Sequence, residues 1–257
     1  MDIEMNRPTL IITGASHGLG AAMASIAADH CANVVLAARS EALLETHVHK
    51  IKQSGGSAVA VVADVSRFED CQRIVDAASQ AFGRIDALIN NAATIEPLAS
   101  VVDSQPDQWA HHMAVNVLGP VMMCRLAIPY LRQTNGRVIN ITSHAAELAI
   151  PGASAYSTSK AALNRFSKVL AVEEPSVTVI LFIPGQVDTS MQAVIREKGR
   201  GNTPDEVHRY FVDLHEQRKL LPPATPAQAA VSLALKTPVE WSGEVLEWDD
   251  QRVQGLV

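Results

Sequence analysis

Apolar residues fall along the chain in two alternating patterns. Short unbroken runs rich in Val, Ile, Leu and Ala occupy Thr9–Thr13, Val34–Ala38, Ala58–Ala63, Ile85–Asn90, Arg137–Thr142, Val177–Ile183 and Glu244–Trp248. Amphipathic or alanine-rich stretches lie between most of them, at 18–30, 41–53, 67–82, 106–132, 155–173 and 226–236. Unbroken apolar runs predict strands covered on both faces, and the longer stretches between them predict helices. Gly55-Gly56 breaks one helix from the next strand, Ser66 is a candidate N-cap for the helix from 67, and Ser104 and Pro106 mark the start of the long helix. Strand–helix alternation of this kind predicts a parallel sheet between two helix layers. No repeat or linker interrupts it, so residues 1–257 read as one domain. The exception to regularity is 186–225, polar and charged, with Gly199, Gly201 and Pro222-Pro223. An insertion of that length after a strand is expected to form a lid or pocket wall.

Composition narrows the picture. Hydrophobic residues are 47% of the 257 and aromatics only 4%, so the core is built of small aliphatic side chains. The formal charge of −6, with no block of like charge, gives no nucleic-acid footprint. Cys31, Cys71 and Cys124 have neither metal nor disulfide spacing and are expected as buried free thiols in a reducing compartment. The opening Met1–Pro8 is polar, the apolar run Leu10–Ile12 is too short for a secretion signal, and no stretch reads as a membrane span. A cytoplasmic protein with no membrane partner is the expectation.

The chemistry-bearing residues cluster where the predicted strands end. Thr13-Gly14-Ala15-Ser16-His17-Gly18-Leu19-Gly20 follows the first strand and opens the first helix. Glycines there permit a sharp turn and close approach of a pyrophosphate to the helix N-terminus. The same turn serves ordinary strand–helix packing, and its spacing is G-x-x-x-G-x-G rather than G-x-G-x-x-G. Arg39 ends the second strand, where an acid would accept from a ribose 2′-hydroxyl; an arginine instead suits a 2′-phosphate, and His17 adds weak positive character. Asp64-Val65 and Asn90-Asn91 end the third and fourth strands, the edge at which open α/β sheets bind ligands. Asn116 is a poor helix-interior residue and reads either as a tolerated polar group or as a local distortion that frees a carbonyl.

Ser143, Tyr156 and Lys160 complete the set. Tyr156 and Lys160 stand at i and i+4, on one helix face. A phenol titrates near ~10, so use as an acid or base near neutrality asks for a shift of about two to three units.

In this order the residues resemble the short-chain dehydrogenase/reductase family, over Thr13 to about Thr189. The glycine turn is similar to the family's cofactor turn, Asp64 to its adenine-side aspartate, and Asn90-Asn91-Ala92 to its Asn-Asn-Ala-Gly motif, with Ala93 departing from the usual glycine. Asn116, Ser143, Tyr156 and Lys160 resemble its catalytic tetrad, and Pro184-Gly185-Gln186-Val187-Asp188-Thr189 its nicotinamide-contacting segment.

The resemblance implies a Rossmann fold with a seven-stranded doubly wound parallel sheet. It implies a cofactor site of Gly14, Ser16, His17, Leu19, Arg39, Asp64, Val65, Asn91, Tyr156, Lys160, Pro184, Gly185, Val187 and Thr189. It also implies hydride transfer between NADP(H), with NAD(H) possible, and a small carbonyl or alcohol, in a homodimer or homotetramer. In that scheme Ser143 binds the carbonyl, Tyr156 gives the proton, Lys160 lowers the tyrosine pKa and binds ribose, and Asn116 holds a relay water.

A looser likeness, in Glu216–Pro223 and the C-terminal Trp-Asp-Asp, is to sepiapterin- and benzil-reductase-like members. The competing reading is a low-turnover nucleotide-binding regulator on the same fold. His111, His112 and Trp109 are expected on the surface or against a partner helix.

Overall fold

The computed structural model describes residues 7–257. The polar segment at 1–6, part of the N-terminal stretch read above, lies outside the described residues. Seven strands pair in the order β3-β2-β1-β4-β5-β6-β7, every pairing parallel. They are β1 (Thr9–Thr13), β2 (Asn33–Ala38), β3 (Ser57–Val62), β4 (Ala87–Asn90), β5 (Arg137–Ile141), β6 (Thr178–Ile183) and β7 (Val245–Glu247). Each predicted strand is found, displaced by no more than a residue or two. β1, β2, β4 and β6 are buried throughout, as their unbroken apolar runs require, whereas β3, at the edge, buries only Ala58 and Val61.

Side chains alternate between the two faces. Leu10, Ile12, Leu36, Ile89 and Phe182 point to one core, closed by α1 (Gly18–Asp29), α2 (Glu41–Gln53), α9 (Ala224–Lys236) and α10 (Gln251–Gln254). Ile11, Val35, Leu88, Val138 and Val179 point to the other, closed by α3 (Phe68–Phe82), α5 (Gly119–Thr134) and α6 (Ser154–Glu173). Beneath the sheet edge a polar line crosses the second core: Asn90 Nδ2 donates to Asn140 Oδ1 at 2.8 Å, and Asn140 Nδ2 donates to Ser167 Oγ at 2.7 Å.

Five expectations need correction. The long helix is broken into α4 (Pro106–Met113), a π-helical turn (Ala114–Leu118) and α5. Pro106–Thr134 as a whole is long and apolar enough to cross a membrane, contrary to the sequence reading. Here Met123, Cys124, Ala127 and Leu131 of that stretch pack into the second core. Ser66 is not the N-cap of α3: Arg67 holds that position, and Ser66 Oγ donates to Asp64 Oδ1 at 2.7 Å. Cys31 is exposed, because it takes the left-handed turn (φ 61) that follows α1; only Cys71 and Cys124 are buried. Finally, 186–225 is not irregular, since it carries α7 (Ser190–Lys198) and α8 (Asp205–Glu216).

Replacing Asn140 by Leu strands the buried Asn90 amide beside an apolar neighbour, which costs about 1–3 kcal/mol. Urea unfolding of the Asn140→Leu chain is therefore expected to show a lower midpoint at unchanged slope; an unaltered midpoint contradicts the structural role given to this line.

Candidate active site

The sheet order reverses between β1 and β4, and a crevice opens at the carboxyl ends of these strands. Two loops meet there. Thr13 Oγ1 accepts from the backbone N–H groups of Asn91 (3.0 Å) and Ala92 (3.1 Å). Asn91 Nδ2 in turn donates to the carbonyls of Thr13 (2.9 Å) and Gly14 (3.2 Å). Sequence reasoning placed Asn91 on the cofactor; its amide nitrogen is engaged in bracing the glycine turn. Gly14 has φ 66, and a Cβ on Gly20 would lie 2.2 Å from the Gly14 carbonyl oxygen, so the turn admits no side chain at either position.

The first turn of α1 contains no acid, and its N-cap, His17, makes no side-chain capping bond. Its N–H groups therefore face the crevice uncompensated, in a cradle that a single Cβ would fill. Those features fit a pyrophosphate. Ser16 is buried, with Oγ 2.8 Å from His17 Nδ1, and Leu19 anchors the helix in the first core. His47 reaches the turn from α2, its Nε2 3.0 Å from the Ser16 carbonyl.

Arg39 lies exposed at the end of β2. Burial pushes the Asp64 carboxyl up, but the Ser66 N–H and hydroxyl, with the charges of Arg39 and His111, outweigh it and hold the group below the usual carboxylate range. Val65 is buried beside it and meets the Gly119 backbone.

On the other side of the crevice, Pro184 and Gly185 follow β6. Gly185 has φ 75, and a Cβ there would strike the Trp248 ring nitrogen at 2.8 Å. The Asp188 N–H donates to the Leu221 carbonyl, and the Leu221 N–H to that of Gln186, which pins Val187 at the rim. Thr189 packs against Gly18, at 3.1 Å from where its Cβ would stand, so the segment after β6 and the glycine turn are neighbours.

Ser143, Tyr156, Lys160 and Asn116 come together above β5. Ser143 follows β5 and accepts from the Ala145 N–H, capping a 3-10 turn, and its hydroxyl also faces the Tyr156 phenol. Lys160 is buried, and Nζ donates to the Ile141 carbonyl at 2.8 Å while lying 5.6 Å from the Tyr156 ring centroid. Burial pulls the Lys160 ammonium down to about 8 and pushes the phenol up to about 12, with the Ser143 hydroxyl offsetting part of the latter. The Lys160 ammonium donates to the Ile141 carbonyl, and the hydroxyl of Ser143 is what offsets the burial of the phenol. A phenol held protonated is nevertheless the form a proton donor needs. Asn116 sits in the π turn, with Oδ1 accepting from the Thr94 N–H and Nδ2 donating to the Thr94 carbonyl, both at 2.8 Å. The helix is distorted at Asn116, as one of the two sequence readings has it.

Two features escaped the sequence. His112, expected at the surface or against a partner helix, is fully buried and bonded to Asn116 and to Ser159 of α6. Gln192 is buried on α7, donating to Gln186 Oε1 at 3.0 Å while its own Oε1 has no partner. A third apolar cluster forms the wall beside the phenol: Ile95, Leu98, Ala153 and Ile195, with Ile150, Met191, Val194, Phe211 and Tyr156 packed on it.

The short chain dehydrogenase family model matches residues 8–200. The chain belongs to the short-chain dehydrogenase family. It is an oxidoreductase of that family, acting on CH–OH or C=O groups. It is similar to a benzil reductase ((S)-benzoin forming) of Saccharomyces cerevisiae, 33% identical over 95% of this chain and 97% of that one. Its fold is similar to the crystal structure of a short-chain dehydrogenase/reductase from the same yeast, with TM-score 0.92 and 33% identity over 97% and 99% of the two chains. It is also similar to an alcohol dehydrogenase from Thermococcus sibiricus complexed with 5-hydroxy-NADP, with TM-score 0.80 and 26% identity over 94% and 96%.

The buried lysine gives a signed pH effect. The unfolded chain holds its proton to the ordinary 10.5, while the folded chain releases it at about 8. Between these values the unfolded state binds more protons, so this residue's destabilising contribution fades as pH rises. Wild-type protein should accordingly gain melting temperature relative to Lys160→Met as pH is raised from neutrality past about 8; a gap independent of pH contradicts the assignment.

Proposed function

We propose that this oxidoreductase is an NADPH-preferring reductase of a ketone or diketone with an apolar body. The observation that carries the reading is the wall beside Tyr156: the phenol forms part of an apolar cluster drawn from the segment after β4, the segment before α6, and helices α7 and α8. A carbonyl seated there meets the Ser143 hydroxyl and the protonated phenol at one end and only hydrocarbon at the other. The likeness to a yeast benzil reductase supports the same substrate class. For the cofactor, support comes from Arg39 at the end of β2 with no acid in register, and from the NADP analogue bound by a structural neighbour.

The glycine turn of Gly14, Ser16, His17, Gly18 and Leu19 would hold the pyrophosphate, Arg39 the 2′-phosphate, Asp64 and Val65 the adenine side, and Pro184, Gly185, Val187 and Thr189 the nicotinamide. That group supplies the hydride to the carbonyl carbon. Ser143 orients the carbonyl oxygen by donating to it. Tyr156 gives its phenolic proton to the same oxygen as negative charge develops, so the product is an alcohol. Lys160, freed from the Ile141 carbonyl or sharing its protons with it, stabilises the tyrosinate left behind. Asn116 braces the turn beside them. The segment 186–225 acts as a lid, its helices closing the apolar wall over the substrate. Buried Cys71 and Cys124 suit a reducing cytoplasmic setting, and by family resemblance the molecule works as a homodimer or homotetramer.

Two measurements test the reading. Tyr156→Phe should lower kcat for benzil by about 10²–10⁴-fold while NADPH affinity stays within a few-fold; a nucleotide-binding regulator would instead show negligible turnover in the wild type too. Arg39→Asp should shift the NADPH-to-NADH ratio of kcat/KM by about 10–100-fold toward NADH, the worth of a charge-assisted hydrogen bond. An unchanged ratio removes Arg39 from the cofactor site.

A further inference from the structure

His112 lies at the end of α4, where the helix passes into the π turn, and it is 0% exposed. Its Nδ1 stands 2.6 Å from the Glu96 carbonyl oxygen. A carbonyl only accepts, so Nδ1 carries the proton, and in the neutral ring Nε2 is an acceptor. Asn116 Nδ2 and Ser159 Oγ both lie 2.9 Å from Nε2.

The remaining bonds decide how the protons are shared. Asn116 Oδ1 takes the Thr94 N–H, which fixes the amide orientation. One Nδ2 proton goes to the Thr94 carbonyl, leaving the other for His112 Nε2 at 2.9 Å, with Ser159 Oγ a longer acceptor at 3.2 Å. Ser159 gives its single proton to the Tyr156 carbonyl at 2.8 Å. Every donor then has an acceptor. A second proton on the imidazole would face the Asn116 amide donor at 2.9 Å and would have to turn to Ser159 Oγ, so the ring would no longer accept from Asn116. Burial holds the imidazole below its ordinary pKa; the Glu96 carbonyl opposes this, and the charges of Lys160 and His111 add to it.

One buried ring thus joins three pieces of chain that carry the site: the loop after β4 at Glu96, the π turn at Asn116, and the helix of Tyr156 and Lys160 at Ser159. Its edge also meets the Tyr156 ring, with centroids 6.2 Å apart. We infer that His112 is a positioning residue for the reaction, acting through Asn116 by presenting an unprotonated Nε2 to its amide. The inference rests on the reading of Asn116 as part of the site. A π turn is held open only where side chains stabilise it, and it leaves main-chain groups without their usual helical partners. Here the stabilising contacts run through Asn116, and the turn packs on α6. Loss of the acceptor lets the amide rotate and the turn relax, and displacement of this order next to reacting groups costs up to about 10²-fold in rate.

The experiment separates the two ring nitrogens. Asparagine at 112 reproduces the Nδ1 donor toward Glu96 and lacks the acceptor; glutamine reproduces an acceptor at the Nε2 position. Full-length wild type, His112→Gln, His112→Asn and Asn116→Ala are compared for NADPH-dependent reduction of benzil, NADPH affinity, and hydrogen exchange of the Thr94 amide. The expected result is that His112→Asn lowers kcat by about tenfold or more with little change in KM or NADPH affinity, a fraction of the up-to-10²-fold cost of misplacement. Thr94 exchange should be accelerated as well, and His112→Gln should recover most of both. Equal kcat and equal Thr94 exchange in the Gln and Asn variants would overturn the inference, and the exchange comparison decides even where turnover of benzil is slow. Full activity in Asn116→Ala overturns the site reading and the inference together. A slow Asn116→Ala beside an active His112→Asn overturns the inference alone.

Discussion

The clasp between Thr13 and Asn91 is the constraint on which the site depends. A parallel sheet brings the ends of β1 and β4 side by side, and the chain must leave them in opposite directions to cover opposite faces. Both loops would ordinarily collapse toward one another. Instead the Thr13 hydroxyl caps two N–H groups of the second loop, and the Asn91 amide caps two carbonyls of the first. Their backbone groups are satisfied across the gap, so neither loop needs to fold over it, and the N-terminus of α1 stays uncovered. The absence of side chains at Gly14 and Gly20 is the steric counterpart of the same arrangement.

The electrostatics at Tyr156 and Lys160 follow from their depth. Burial disfavours both charged forms and so drives the two values apart, the ammonium to about 8 and the phenol to about 12. A neutral acid next to a weakly held cation is the correct starting state for giving a proton to an alkoxide.

Much of this was legible in the sequence, and the failures have physical causes. Strands and the glycine turn could be read because unbroken aliphatic runs and Thr-Gly-x-x-x-Gly-x-Gly have few alternative uses. The four side chains above β5 could be read because Tyr156 and Lys160 are fixed by helical spacing and Ser143 by the end of a strand. His112 could not. Faces drawn at 3.6 residues per turn assume an unbroken α-helix, and a π turn just beyond it changes the phase of everything that follows. The π turn in turn arises from contacts distant in sequence, at Thr94 and Ser159. Helices α7 and α8 were missed because Gly199, Gly201 and Pro204 punctuate a charged stretch that reads as loop. The bracing of the glycine turn by the Asn91 amide was not legible, since a polar residue at a strand end can face a ligand or a neighbouring loop with equal chemical sense.

The third apolar cluster is small beside the two cores that close the sheet, and α8 contributes no fully buried residue to any of them. Stability in a folded chain is not uniform, and a segment tied down by few apolar contacts opens with less free energy than the global unfolding. The stretch from Ser190 to Glu216 is held to the rest of the chain mainly through α7, where Gln192 and Ile195 are buried, and only lightly through α8. The wall beside the phenol therefore rests on a handful of side chains such as Ile195 and Phe211, separate from the two cores that hold the sheet.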